Sequence, residues 1–212
     1  MTQELESLAI ADSYAVFFDI CSSSIIIEDL MLTDNFRAMR NLLIRLKNSL
    51  RTESETYGFE VYKFIGDAWI LLFPGKSEGK SLIKFLEGLS RTFEEGLREL
   101  IIPKLQSTPN ILGLTFGIDK GRLVKLTMLQ RQEYVGRALN VASRPQSAIK
   151  DKDPRPQYKI LFSKHAFEAP RLPPRFRQTK AVTRFLRNIQ GGKKYECIKL
   201  RLKMGQRYTP VN

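Results

Sequence analysis

The sequence predicts an α+β fold: a ferredoxin-like βαββαβ palm with an antiparallel-rich sheet and an appended C-terminal hairpin. Three observations carry this. The apolar, aromatic run Tyr14–Ile20 has strand character and is followed by a segment of helical period. The apolar runs Phe59–Ile65 and Ala68–Phe73 are separated only by Gly66-Asp67, a two-residue hairpin turn. A second helical segment and a further strand region complete the order β-α-β-β-α-β, which is expected to pack its helices on one face of the sheet.

Taken in order, Tyr14–Ile20 reads as a buried strand ending in the carboxylate of Asp19. Phe36–Leu50 has apolar residues at 36, 39, 42, 43, 46 and 50, the helical repeat, and the helix can start as early as Ser24. Strands over 58–65 and 68–73 come next, then an amphipathic helix over 79–102 stopped by Pro103. Ile111–Ile118 and Arg122–Leu129 read as a strand pair turned by Asp119-Lys120-Gly121. Arg137–Ile149 is a third helix, Asp151–Pro156 a Pro-rich loop and Tyr158–Phe162 a short strand. Arg171–Arg177 is a basic, Pro-rich excursion, and Ala181–Leu186 with Tyr195–Leu202 forms a last hairpin around Gly191-Gly192. There is no internal repeat, so one domain over 1–212, with its core at about 14–202, is expected.

Composition narrows the function classes. No apolar run is long enough to span a membrane, and the acidic, polar start Met1–Ser7 is unlike a signal peptide. Cys21 and Cys197 lack metal-site spacing and read as reduced thiols, so a cytoplasmic location is expected. The net charge of +13 is uneven: residues 1–149 balance 18 basic against 18 acidic residues, and residues 150–212 hold 17 against 4. The basic C-terminal third suits either a polyanion or plain solvation. The only histidine, His165, lies outside every motif.

Two aspartates are the most informative residues. If the strands that carry them are neighbours, Asp19 and Asp67 emerge at the same sheet edge. Convergent oxygen ligands of this kind suit Mg²⁺ or Mn²⁺ bound together with substrate phosphates. The alternative is that Asp19 caps a helix and Asp67 merely fills a turn.

A third segment, Glu133-Tyr134-Val135-Gly136-Arg137-Ala138-Leu139-Asn140-Val141-Ala142-Ser143-Arg144, puts Asn140 and Arg144 on one helix face. With Phe18-Asp19-Ile20 and Lys63-Phe64-Ile65-Gly66-Asp67, it resembles the class III nucleotide cyclases in motif content and order. The resemblance spans about 14–200 and implies these roles. Asp19, Asp67 and the Ile20 carbonyl would hold two Mg²⁺ or Mn²⁺ ions. Arg144 would stabilise charge at the α-phosphate, and Asn140 would orient the ribose. Ser22-Ser23-Ser24 stands where the family usually has Gly-Phe-Thr, a helix start whose amides cradle phosphate. Lys194, or its neighbour Lys193, would reach the γ-phosphate. Pro145 stands where a leucine is common. One chain with both sets of groups implies a homodimer with sites at its interface.

The substrate would be a nucleoside triphosphate. Lys63 donates and Glu133 accepts, a polarity that adenine, cytosine and uracil can each satisfy. Glu133 is one methylene longer than the aspartate of many ATP-using members, which suits a smaller base. The run Gly136–Gln146 resembles the bacterial Pycsar cyclases, which make cyclic UMP or cyclic CMP in anti-phage defence. UTP or CTP is therefore favoured over ATP. An adenylate cyclase is the alternative, ahead of an RNA-binding module or a pseudocyclase. No RNA-recognition strand motif is found, so nucleic acid is not the expected partner.

Overall fold

The first strand alternates strictly. Tyr14, Val16, Phe18 and Ile20 join the main core, whereas Ala15 and Phe17 join a smaller cluster on the opposite face. Both sides of the sheet are thus covered. A computed structural model describes residues 9–152, 155–168, 181–185 and 194–202. The elements are β1 (Ala9–Ile20), α1 (Ser23–Leu32), α2 (Phe36–Tyr57), β2 (Glu60–Ile65), β3 (Ala68–Pro74), α3 (Gly79–Gly96), β4 (Leu114–Met128), β5 (Arg131–Val135), α4 (Arg137–Lys152), β6 (Lys159–Ser163), α5 (Lys164–Glu168), β7 (Ala181–Phe185) and β8 (Lys194–Arg201).

The sheet runs β2-β3-β1-β4-β6-β8-β7, with β5 paired to β4. Its first four strands have the interleaved order of the ferredoxin-like unit. The β4–β6 pairing is parallel and the other pairings are antiparallel. The expected C-terminal hairpin is present as β7–β8.

On one face, α2 buries Met39, Leu42, Leu46 and Leu50, and α3 buries Leu82, Phe85, Leu86, Leu89 and Phe93. These spacings are the amphipathic repeat read from the sequence. Phe59, Phe73 and Phe85 form an aromatic triad beneath them, with ring centroids 4.6–5.3 Å apart. Each such pair adds about 0.5–1.5 kcal/mol beyond area burial. Contrary to the sequence reading, the helices are not confined to this face. α4 lies on the other one, where Ala138 and Ala142 pack on Ala15, Ile70, Leu72 and Leu123.

Two local readings are corrected. Asp119-Lys120-Gly121 is no turn; it lies inside β4, a single strand of 15 residues. All twelve residues of β1 pair along β4, with Ala15 opposite Asp119 and Ser13 opposite Gly121. The reversal comes instead at Leu129-Gln130, both at positive φ (48° and 61°). Neither residue carries the glycine or asparagine signal of such a turn. The first helical region is two helices, because Asp34 takes a left-handed conformation (φ 56°) between α1 and α2. The helix over 79–102 is regular to Gly96 and widens into a π turn at Leu97–Ile101 before Pro103.

The seat of α4 is bare backbone. A Cβ at Gly117 would fall 2.1 Å from the Ala142 carbonyl oxygen and 2.6 Å from the Gln146 nitrogen. At Gly121 the nearest atom, Ala138 Cβ, is 3.5 Å away, an ordinary contact. Gly117→Ala should therefore cost about 1–3 kcal/mol through overpacking, and Gly121→Ala far less. Urea unfolding of both variants checks this; equal stabilities would contradict the direct seating of α4.

Candidate active site

Asp19 lies at the penultimate position of β1, opposite Ala68 of β3 and Thr115 of β4. Asp67 immediately precedes Ala68, so the two residues lie at the same end of neighbouring strands, the juxtaposition the sequence suggested. The residues behind them fix this. Phe18 and Trp69 pair in register and stack at 5.0 Å, nearly parallel, and Phe64 packs on Trp69 at 4.5 Å. The β2–β3 loop has positive φ at Gly66 (68°) but not at Asp67, as a two-residue II′ turn requires.

These donors suit a hard cation. Asp67 Oδ2 is buried and has no hydrogen-bond partner among the described residues. Ile20 has a hydrocarbon side chain, fully buried here, so only its backbone carbonyl could serve as a ligand. No group of three or more His, Cys, Asp or Glu that could hold a metal occurs among the described residues. An ion here would thus draw the rest of its shell from phosphate and water oxygens, the habit of Mg²⁺.

Ser22 precedes α1 in a left-handed conformation (φ 57°). This is the position at which the related motif usually has glycine, and the backbone supplies the reason. The Ser22 hydroxyl donates to the Ile111 carbonyl at 2.8 Å. It does not cap α1, whose first-turn amides have no side-chain cap from that residue. Ser23 is buried and Ser24 exposed.

α4 is fixed at its start by a buried carboxylate. Asp119 is fully buried. It accepts from Arg137 Nη1 at 3.3 Å and from the Ser163 hydroxyl, and Arg137 also donates to the Tyr195 hydroxyl. Burial pushes the Asp119 carboxyl above the usual range, while Ser163 and Arg137 pull it back. Further along α4, Asn140 is exposed and Arg144 half-buried. Gln146 turns inward and donates to Asp19 Oδ2 at 2.9 Å. Pro145 is accommodated within the helix, which runs on to Lys152.

Lys63 and Glu133 are brought together directly: Lys63 Nζ is 2.6 Å from Glu133 Oε2. Tyr62 donates to the same oxygen at 2.5 Å and accepts from the Tyr134 amide at 3.1 Å. Consecutive strand residues normally point to opposite faces. Here the β2–β3 register slips between Val61 and Lys63, a bulge that lets Tyr62 and Lys63 reach one carboxylate. Tyr134 in turn donates to Glu60 at 2.6 Å, and burial with this bond raises its hydroxyl pKa to about 12. The β4–β5 hairpin therefore curls back until β5 meets β2 on the α4 side of the sheet.

Comparison with solved structures agrees with this architecture. The adenylyl cyclase CyaB from P. aeruginosa superposes with a TM-score of 0.67 at 17% identity, covering 94% of this chain and 97% of that one. The guanylyl cyclase Cya2 gives 0.67 at 16%, covering 95% and 96%. A bacterial light-regulated adenylyl cyclase gives 0.68 at 16%, covering 99% of this chain but only 56% of that one. The fold is that of the class III cyclase catalytic domains. No family model matches the chain, and no curated protein matches it by sequence.

Within this cyclase fold, the sequence-predicted residues divide cleanly. Asp19 with Asp67, and Lys63 with Glu133, are brought together, while Asn140 and Arg144 share α4. The Lys194 backbone pairs with Phe185, but its side chain, Lys193 and Arg171–Arg177 lie outside the described residues. Four contributors went unassigned from sequence: the Tyr62 hydroxyl, Gln146, Asp119 and Arg137. Gln146 had a legible signal, since it follows Ala138 and Ala142 at four-residue steps in the buried stripe of α4.

Hydrogen bonds from Lys63 first, and Tyr62 second, hold the Glu133 carboxyl below its ordinary pKa, and the same contacts raise Lys63. The stability this pair contributes is present above the ordinary glutamate pKa and is lost as pH falls through the lowered folded value. Lys63→Met should return Glu133 toward its ordinary pKa by more than Tyr62→Phe does. Carbon-detected NMR titration of the carboxyl checks the order; a larger effect of Tyr62→Phe would reverse the assignment.

Proposed function

We propose that this chain is a class III nucleotide cyclase that closes a nucleoside triphosphate to its 3′,5′-cyclic monophosphate and releases pyrophosphate. We further propose a pyrimidine substrate, UTP ahead of CTP. The observation that carries the reading is the placement of two sets of groups on one sheet: the Asp19–Asp67 carboxylate edge, and α4 bearing Asn140 and Arg144.

In this reading, Asp19, Asp67 and the Ile20 carbonyl would hold divalent ions, whose chemistry would be Lewis acidity toward the ribose 3′-hydroxyl and neutralisation of phosphate charge. The 3′-oxygen attacks the α-phosphorus in line. The bond to the β-phosphate oxygen breaks, pyrophosphate leaves with that electron pair, and the 3′-proton passes to solvent. The amides that open α1 face the phosphates. Arg144 meets the charge that develops at the α-phosphate; such an arginine is worth roughly 10³–10⁵ in rate in other phosphoryl-transfer enzymes. Asn140 orients the ribose. The two groups on α4 serve the carboxylate edge of a second copy, which makes the active unit a homodimer with two interfacial sites.

The base reading rests on Lys63 and Glu133. Glu133 is held by Lys63 and Tyr62 together, so the acceptor is oriented before substrate arrives. The Tyr62 hydroxyl on this carboxylate brings its ring beside the acceptor. The resemblance of Gly136–Gln146 to Pycsar cyclases supports a second-messenger role in anti-phage defence.

Incubation with each of the four NTPs and Mn²⁺, followed by mass identification of products, tests the reaction and the base at once. Cyclic UMP or cyclic CMP is expected; cyclic AMP alone would make the enzyme an adenylate cyclase. Mixing Asp67→Ala with Arg144→Ala protein should restore activity that each lacks alone, because one heterodimer interface keeps both intact sets. A mixture as inactive as its parents, with subunit exchange shown by native mass spectrometry, would exclude the shared site.

Glu133→Asp withdraws the acceptor by one methylene. It should lower kcat/KM for the pyrimidine triphosphate by roughly tenfold or more, and for ATP less. An unchanged ratio between the two would move base selection to Tyr62.

A further inference from the structure

We propose that Gln146 is a positioning residue: its side-chain amide orients the Asp19 carboxylate and ties it to the helix that bears Asn140 and Arg144. This rests on the metal assignment made under the proposed function. Gln146 is 3% exposed, and a polar side chain so deeply buried is normally hydrogen-bonded. Its Nε2 lies 2.9 Å from Asp19 Oδ2 and 2.9 Å from Thr115 Oγ1. A primary amide carries two N–H groups, so these contacts use both. Thr115 is itself fully buried opposite Asp19 in register, with its hydroxyl 3.5 Å from the Asp19 carbonyl oxygen. The three residues close a triangle across β1, β4 and α4.

The triangle has a definite mechanical effect. A carboxylate at a strand end can rotate about its terminal torsion, and a fixed donor on one oxygen sets the plane presented to an ion. Gln146 follows Arg144 by two residues on α4. Any shift of the Asp19 carboxylate is thereby felt by the helix that carries Arg144, and the reverse. In a homodimer with shared sites, each Gln146 joins its protomer's metal edge to the arginine that protomer lends its neighbour.

Gln146→Met keeps the side-chain volume and removes both donors. Mn²⁺ binding to the full chain, followed by electron paramagnetic resonance of the free ion, should weaken about 10- to 100-fold. Thr115→Val removes only the second anchor and should weaken binding less. Where activity is present, saturating Mn²⁺ should restore most of kcat in both variants, whereas limiting Mn²⁺ should not. Thermal melts of each variant identify a folding failure; if Gln146→Met does not fold, Thr115→Val carries the comparison. Wild type that binds while the folded variants bind with equal affinity overturns this proposal alone. Wild type that binds no Mn²⁺ overturns the metal assignment and this proposal together.

Discussion

The close seating of α4 on the backbone of β4 is the constraint on which the rest of the site depends. Gly117 has no side chain, so Ala142 and Gln146 come within contact of the strand itself. The helix is then held at its start and again past its middle by partly buried polar contacts. At its start, Arg137 reaches the buried Asp119; about two and a half turns later, Gln146 reaches Asp19. A buried carboxylate without its partners is strongly unfavourable. Sliding α4 would take Arg137 away from Asp119, leaving it the Ser163 hydroxyl, as well as disturb the packing. Asn140, which is exposed, and Arg144, which is half-buried, are therefore carried by a helix whose position is determined on the inside.

Orientation, more than stability, is what the Lys63–Glu133 pair contributes. Ion pairs this exposed are typically worth little to the fold. The bulge at Tyr62 nonetheless turns two neighbouring side chains onto one carboxylate, and Tyr62 is anchored in turn by the Tyr134 amide. The acceptor is thus held by a donor from each of two consecutive residues. A binding wall prepared in this way loses less freedom when it meets a ligand.

Much of this was legible in the sequence. Period and turn chemistry located β1, the β2–β3 hairpin, α2, α3, α4 and the β7–β8 pair, because each carries its own local signal. The ordered motifs marked Asp19, Asp67, Lys63, Glu133, Asn140 and Arg144. What escaped was decided by tertiary contacts. Asp119-Lys120-Gly121 has turn composition, yet β1 is long enough to hold it extended and Ser163 with Arg137 satisfies its carboxylate. Leu129-Gln130 turns without turn residues. The bulge at Tyr62 leaves no trace in composition, since it is a matter of register with β3. The placement of α4 on the second face follows from its small residues, Ala138 and Ala142, meeting Gly117 and Gly121 across the sheet.

The central position of β1 has a consequence for how the protein is made. β1 lies between β3 and β4, yet in chain order Ala9–Ile20 is synthesised long before Leu114–Met128. Through that interval its apolar run has at most one partner, and its other edge presents unpaired amides and carbonyls. Such an edge is a template for pairing with another chain. The emerging polypeptide therefore carries an aggregation hazard in a strand that ends in the interior of the sheet, until β4 becomes available to pair with it.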